Sequence, residues 1–159
     1  MSRKIVIYYS FEGNSEYVAE KVAEYTQADL EKLTVSNEPP KKGLAKFLHG
    51  GKSALFKDDP GLHPLKHDLK NYDTLILIYP IWAGNCPPAM QAFLKEYRFS
   101  GKNVYLIANS ASGSAGKSLD KVKEELRGND VWLTLSLQNP PRNKEKVNLK
   151  LVEFAQQVK

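Results

Sequence analysis

A doubly wound α/β sandwich, with five parallel strands in the order 2-1-3-4-5, is the fold class predicted by three features of this 159-residue sequence. Apolar runs alternate with helically striped segments along the whole chain, as in β-α units whose strands pair in parallel and are covered on both faces. The first, third and fourth runs are continuously apolar, while the second and fifth carry polar residues, which assigns those two to the sheet edges. The order 3-2-1-4-5 would instead leave the very apolar third run at an edge. Length and an average composition, 42% hydrophobic and 26% charged, suit a single domain over residues 1–159.

Each element has its own justification. Lys4 to Tyr9 is β-branched and aromatic and reads as the first strand. After a polar turn from Ser10 to Ser15, the residues Val18, Ala19, Val22 and Tyr25 recur at helical spacing, with Glu16, Glu20, Lys21 and Glu24 outward. Leu30, Leu33 and Val35 mark the second strand, and Thr74 to Tyr79 the third. Pro87 and Pro88 open a helix striped by Met90, Phe93, Leu94 and Tyr97. Val104 to Ala108 is the fourth strand, followed by a helix with Leu119, Val122 and Leu126 inward and a stop at Gly128. In the fifth strand Val131, Leu133, Leu135 and Leu137 alternate with Trp132, Thr134 and Ser136. A last helix carries Val147, Leu151, Phe154, Ala155 and Val158.

In this strand order the chain reverses direction between strands one and three, and a ligand crevice is expected beyond their carboxyl ends. Three loops reach it. Ser10-Phe-Glu-Gly-Asn-Ser15 precedes a helix whose free N–H groups and positive dipole end suit a phosphate without any lysine or arginine; an ordinary N-cap by Asn14 or Ser15 is the plainer alternative. Pro80 to Pro88 sets Trp82 beside Ala83 and Gly84, a flat apolar face next to accessible backbone, suited to a planar ring. Asn109 to Gly116 is small and hydrogen-bonding throughout, so its backbone can approach a heteroaromatic edge.

Taken together, Tyr9-Ser-Phe-Glu-Gly-Asn-Ser15 resembles the phosphate loop of flavodoxins, and Pro80-Ile-Trp-Ala-Gly84 resembles their first flavin-ring loop. Gly50 to Phe56 is similar to a segment of one short bacterial subfamily. The resemblance implies a flavodoxin-like three-layer sandwich that binds FMN non-covalently. It places the phosphate at Ser10, Phe11, Glu12, Gly13, Asn14 and Ser15. The ring would lie at Pro80, Ile81, Trp82, Ala83 and Gly84, with Asn109, Ser110, Ala111, Ser112 and Gly113 completing the site. Glu12 stands where the family usually has a hydroxyl, so its carboxylate must point away from a phosphate. The later ring loop lacks the aromatic residue that electron-shuttling flavodoxins usually place there, which leaves Trp82 as the expected stacking partner. The family is also typically acidic, whereas this chain is +5. These departures favour a reductase that admits NAD(P)H and reduces a small acceptor such as a quinone, over a dedicated carrier serving a redox partner protein.

The positive charge is local. Lys41, Lys42, Lys46, Lys52 and Lys57 fall in a stretch without an acid, and the rest of the chain balances at 18 against 18. A solvated helix face is its plain reading; attraction of phosphates or of an acidic partner is the functional one. Ala111-Ser-Gly-Ser-Ala-Gly-Lys-Ser118 fits a permissive P-loop pattern, which makes a nucleotide-binding protein the alternative function. No later strand supplies the acid such a site needs for magnesium. His63 and His67 are spaced to share a helix face, but Pro64 and polar surroundings argue against a metal site. The single cysteine, Cys86, excludes an internal disulfide framework or a multi-cysteine metal cage. No apolar stretch has the length of a membrane span or of a secretory signal core, so a cytoplasmic protein is expected. No catalytic acid, base or nucleophile stands out, and neither a metal site nor nucleic-acid binding is expected.

Overall fold

The computed structural model describes residues 2–39, 59–138, 140 and 142–159. Its elements are β1 (Lys4–Tyr8), α1 (Asn14–Thr26), β2 (Asp29–Lys32), β3 (Thr74–Pro80), α2 (Pro88–Glu96), β4 (Asn103–Ser110), α3 (Gly116–Glu125), β5 (Asp130–Gln138) and α4 (Lys144–Gln157). The five strands are parallel and ordered β2-β1-β3-β4-β5, as the polarity of the runs predicts. The basic stretch from Lys41 to Lys57 and the segment from Gly50 to Phe56 lie outside the described residues.

Side chains of the central strands alternate between two cores. Ile5, Ile7, Leu75, Leu77, Val104 and Leu106 face Met90, Phe93, Leu119 and Val122 of α2 and α3. Val6, Ile76, Ile78, Tyr105 and Ile107 face Val18 and Val22 of α1 and Val147, Leu151 and Phe154 of α4. Each fully buried aliphatic or aromatic side chain contributes about 1.5–3 kcal/mol, so a sheet covered on both faces is what these apolar strands require. Among the described residues no helix is long and apolar enough to cross a membrane.

Three elements depart from the expected patterns. In the second strand, Leu33 and Val35 are buried and fix the inward frame, which turns Leu30 out (36% exposed) and Glu31 in (2%). The Glu31 carboxylate is satisfied there by the backbone N–H groups of Lys66 and His67 and by His67 Nδ1 at 2.6 Å. In α1, Tyr25 lies at the rim rather than in the core, 37% exposed, with the Lys21 ammonium over its ring.

The fifth strand alternates in sequence but not in space. Val104 pairs with Val131 and Tyr105 with Leu133, so Trp132 is the extra residue of a bulge. The bulge switches faces: Val131 joins the α2–α3 core, while Leu133, Leu135 and Leu137 join the α1–α4 core. Trp132 is left half exposed, donating its indole N–H to Asn103 Oδ1 at 2.8 Å beneath the Lys159 ammonium.

Candidate functional site

Between β1 and β3, beyond their carboxyl ends, the chain forms a cleft of about 520 Å³. Three loops meet there. It is lined by Ser10, Phe11, Glu12, Asn14 and Ser15 from the first, by Pro80, Ile81, Trp82, Ala83 and Gly84 from the second, and by Asn109, Ser110, Ala111 and Ser112 from the third. Of the residues the sequence singles out, Gly13 and Gly113 do not line it. Two others do, Ser114 and Pro140. Ser114 follows directly from the small-residue loop, whereas Pro140 lies beyond β5 and no local pattern points to it.

The first loop is shaped by Gly13, whose φ of 96° is left-handed and which stands at the N-cap of α1. Its N–H donates to Ser10 Oγ at 3.1 Å. No side chain caps the helix, so Asn14 and Ser15 do not play the capping role that was the plainer expectation. The first-turn N–H groups of Asn14, Ser15 and Glu16 have no partner among the described residues, and the helix dipole favours an anion before them. The need for glycine at 13 is conformational: a Cβ there would meet nothing within 4 Å, but the backbone angle is one that L-residues adopt at a cost.

The second loop is a tight hairpin. Trp82 and Asn85 exchange both backbone hydrogen bonds, at 2.8 and 2.9 Å, and the two residues between them have positive φ, 48° at Ala83 and 77° at Gly84. That is the signature of a type I′ turn. Asn85 braces it further, donating from Nδ2 to the Ala83 carbonyl at 3.0 Å and accepting from Lys121 Nζ at 2.7 Å. Trp82 does not present the open face expected of a stacking platform. It is 4% exposed, with Tyr9 and Phe11 packed edge-to-face at 5.6 and 5.8 Å. Burial of its ring holds the hairpin against the first loop, and half-buried Phe11 is the more accessible aromatic. Tyr9, beneath Trp82, donates to Glu38 at 2.7 Å; burial and that carboxylate push its phenol well above the ordinary range.

Asn109 ties the three loops together. Its Nδ2 donates to Ser15 Oγ at 2.8 Å, and its backbone carbonyl accepts the Ile81 N–H at 2.8 Å. Its Oδ1 and the neighbouring Ser110 Oγ are buried without hydrogen-bond partners. Orphaned polar atoms in a cleft wall are costly unless a ligand meets them. A heterocycle with a polar edge on this side and a phosphate at α1 would satisfy both ends. The residues present therefore fit a flavin mononucleotide.

The remaining motifs lie elsewhere. Residues 111, 112 and 114 of the P-loop-like stretch line the cleft, Lys117 is exposed, and Ser118 lines a different cavity between α2 and α3. The stretch therefore faces two cavities and does not cradle one phosphate chain. His63 and His67 are not on a helix. His63 bonds Thr34 and Ser36, whereas His67 bonds Glu31. Cys86 is buried, and burial pushes its thiol up to about 12.

Comparison with known proteins bears on the family and the fold. The family profile described as Flavodoxin matches residues 3–153. No curated protein matches the sequence. Among solved structures, a Bacteroides eggerthii protein provisionally classed as a flavoprotein superposes with a TM-score of 0.77 at 23% identity, covering 98% of this chain and 99% of that one. A Lactobacillus acidophilus flavoprotein in complex with FMN gives 0.64 at 20% identity, covering 91% and 98%. A Fusobacterium nucleatum flavodoxin bound to flavin mononucleotide gives 0.64 at 14% identity, covering 99% and 96%. At these identities the structural matches speak for the fold.

Proposed function

This chain belongs to the flavodoxin family, and from that premise we propose that it is an FMN-binding redox protein whose flavin site is the cleft between β1 and β3. One observation carries the reading. The three loops that follow β1, β3 and β4 converge on a single cleft, with an uncapped helix N-terminus at one end and the orphaned Asn109 Oδ1 and Ser110 Oγ in its wall. The N–H groups of the α1 first turn, with Ser10 and Ser15, would hold the phosphate. The hairpin at Ala83 and Gly84, with Asn109 to Ser112, would hold the ring edge, and Phe11 and Trp82 would supply its apolar contact. Bound FMN supplies both one- and two-electron redox chemistry. The protein's own part is to orient the ring, exclude water from it and set which donor can reach it.

For the reaction, we favour NAD(P)H-dependent reduction of a small acceptor such as a quinone over electron carriage between proteins. The supporting feature is the third loop, where Ser110, Ala111, Ser112 and Ser114 line the cleft without an aromatic. Small residues there leave room for a nicotinamide to lie against the ring. A cytoplasmic location accords with the single, buried cysteine. The visible spectrum of the purified protein, with FMN added if it is colourless, tests the flavin reading; a protein that stays colourless and does not quench FMN fluorescence refutes it. Stopped-flow mixing of the FMN-loaded protein with NADH and NADPH tests the reaction. Bleaching by either is expected, and a flavin untouched by both over minutes leaves carriage to a redox partner as the function.

A further inference from the structure

We propose that Glu12 is a specificity-determining residue that opposes the ligand's phosphate, so that the cleft discriminates little between FMN and riboflavin and holds its flavin exchangeably. The inference rests on the flavin reading above. Among the described residues, the lining of the cleft includes one charged residue, and it is Glu12. It stands immediately before Gly13, on the loop whose geometry directs the first-turn N–H groups of α1 into the cleft.

Its neighbours show that its lack of a partner is specific. Glu16, four residues on, is engaged by Lys32 Nζ at 2.9 Å and by the Tyr8 hydroxyl at 3.0 Å, and these hold its carboxyl below the usual range. Glu38 accepts from Tyr9. Glu12 is exposed and has no hydrogen-bond or ion-pair partner among the described residues. A phosphate monoester carries nearly two negative charges at neutral pH. Three N–H groups and a helix dipole attract it, and no cation lining the cleft among the described residues adds to that attraction or offsets Glu12. Riboflavin has the same ring system without the phosphate, so it feels neither effect.

Removing one charge close to a dianion, in a partly solvated site, should change affinity by roughly five- to tenfold. The test titrates FMN and riboflavin fluorescence against the full-length protein and its Glu12→Gln variant, at about 50 mM and about 500 mM salt. Glu12 is exposed, so folding should be unaffected, and circular dichroism verifies that. The expected result is a five- to tenfold tighter FMN complex in Glu12→Gln at low salt, a smaller gain at high salt, and riboflavin affinity within twofold of wild type throughout. FMN affinity that does not change, or an equal change for both flavins, overturns the proposal while leaving the flavin site standing. If neither flavin binds either protein, the flavin reading itself fails and this proposal with it.

Discussion

The contact between Asn109 and Ser15 fastens the first loop to the third, and its worth can be isolated. Both side chains are buried, Asn109 at 4% and Ser15 at 1% exposure, and they meet at 2.8 Å. In Asn109→Ala the bond is lost and Ser15 Oγ is left in a dry environment, a cost of about 1–3 kcal/mol. Removal of the orphaned Oδ1 offsets part of that, and the small void adds to it, so a net loss of about 2 kcal/mol is expected. The backbone bond from Ile81 to the Asn109 carbonyl survives the substitution, so the second and third loops stay joined. Ser15→Ala breaks the same bond from the other side and leaves the amide without its partner, for about 1–2 kcal/mol. The double variant has no stranded partner to leave behind, so it should be more stable than the sum of the singles predicts, by about 1 kcal/mol. Urea unfolding of the four flavin-free proteins measures this, provided the slope m is common to all four. Additivity within about 0.3–0.5 kcal/mol would refute the reasoning, because it would mean the two groups do not depend on each other.

Other consequences follow from single features. Ala83→Gly removes an L-residue from φ 48° in the hairpin and should raise stability by about 0.5–1 kcal/mol after the entropy of glycine is counted; thermal unfolding reads it, and destabilisation would mean the turn is not under strain. Glu31→Gln should cost about 2–3 kcal/mol in chemical denaturation, because an acceptor of three N–H groups loses its charge and presents donors to donors. Cys86 has a folded-state thiol raised to about 12 from an ordinary 9.0, so folding favours the protonated form. Its contribution is therefore complete below about pH 8.5 and is lost as pH rises towards 12. Native protein should accordingly react with a disulfide reagent at pH 8 far more slowly than unfolded protein, and equal rates would place the thiol at the surface.

The strand order was legible because the edges of a parallel sheet need polar residues and its centre does not. The three loops were legible because the carboxyl ends of β1, β3 and β4 must open onto one crevice in that order. What escaped the sequence depended on contacts distant in the chain. Leu30 looks like a core residue until Glu31 finds the backbone of Lys66 and His67, 35 and 36 positions away. The apolar alternation from Val131 to Leu137 gives no hint that a bulge at Trp132 sends its first member to the opposite face. Trp82 reads as a platform because Ala83 and Gly84 follow it, but Tyr9 and Phe11 from another loop pack edge-to-face against it. Pro140 reaches the cleft only through the path of the chain after β5.

After β2 the chain makes an excursion whose two ends meet beside the sheet, where Val35 and Leu62 are bridged antiparallel, with the Ser36 and Asn37 N–H groups donating to the Gly61 and Pro60 carbonyls at 2.9 and 3.0 Å. Departure and return therefore share one address on the scaffold. Among the described residues, neither core nor the pairing of β1 with β3 draws a side chain from between Val35 and Leu62. Doubling such an excursion adds only about 0.6 kcal/mol of closure entropy. This makes the position a natural port for variation, where homologous chains could exchange long and short inserts, or a laboratory could graft a peptide, without redesigning the sheet.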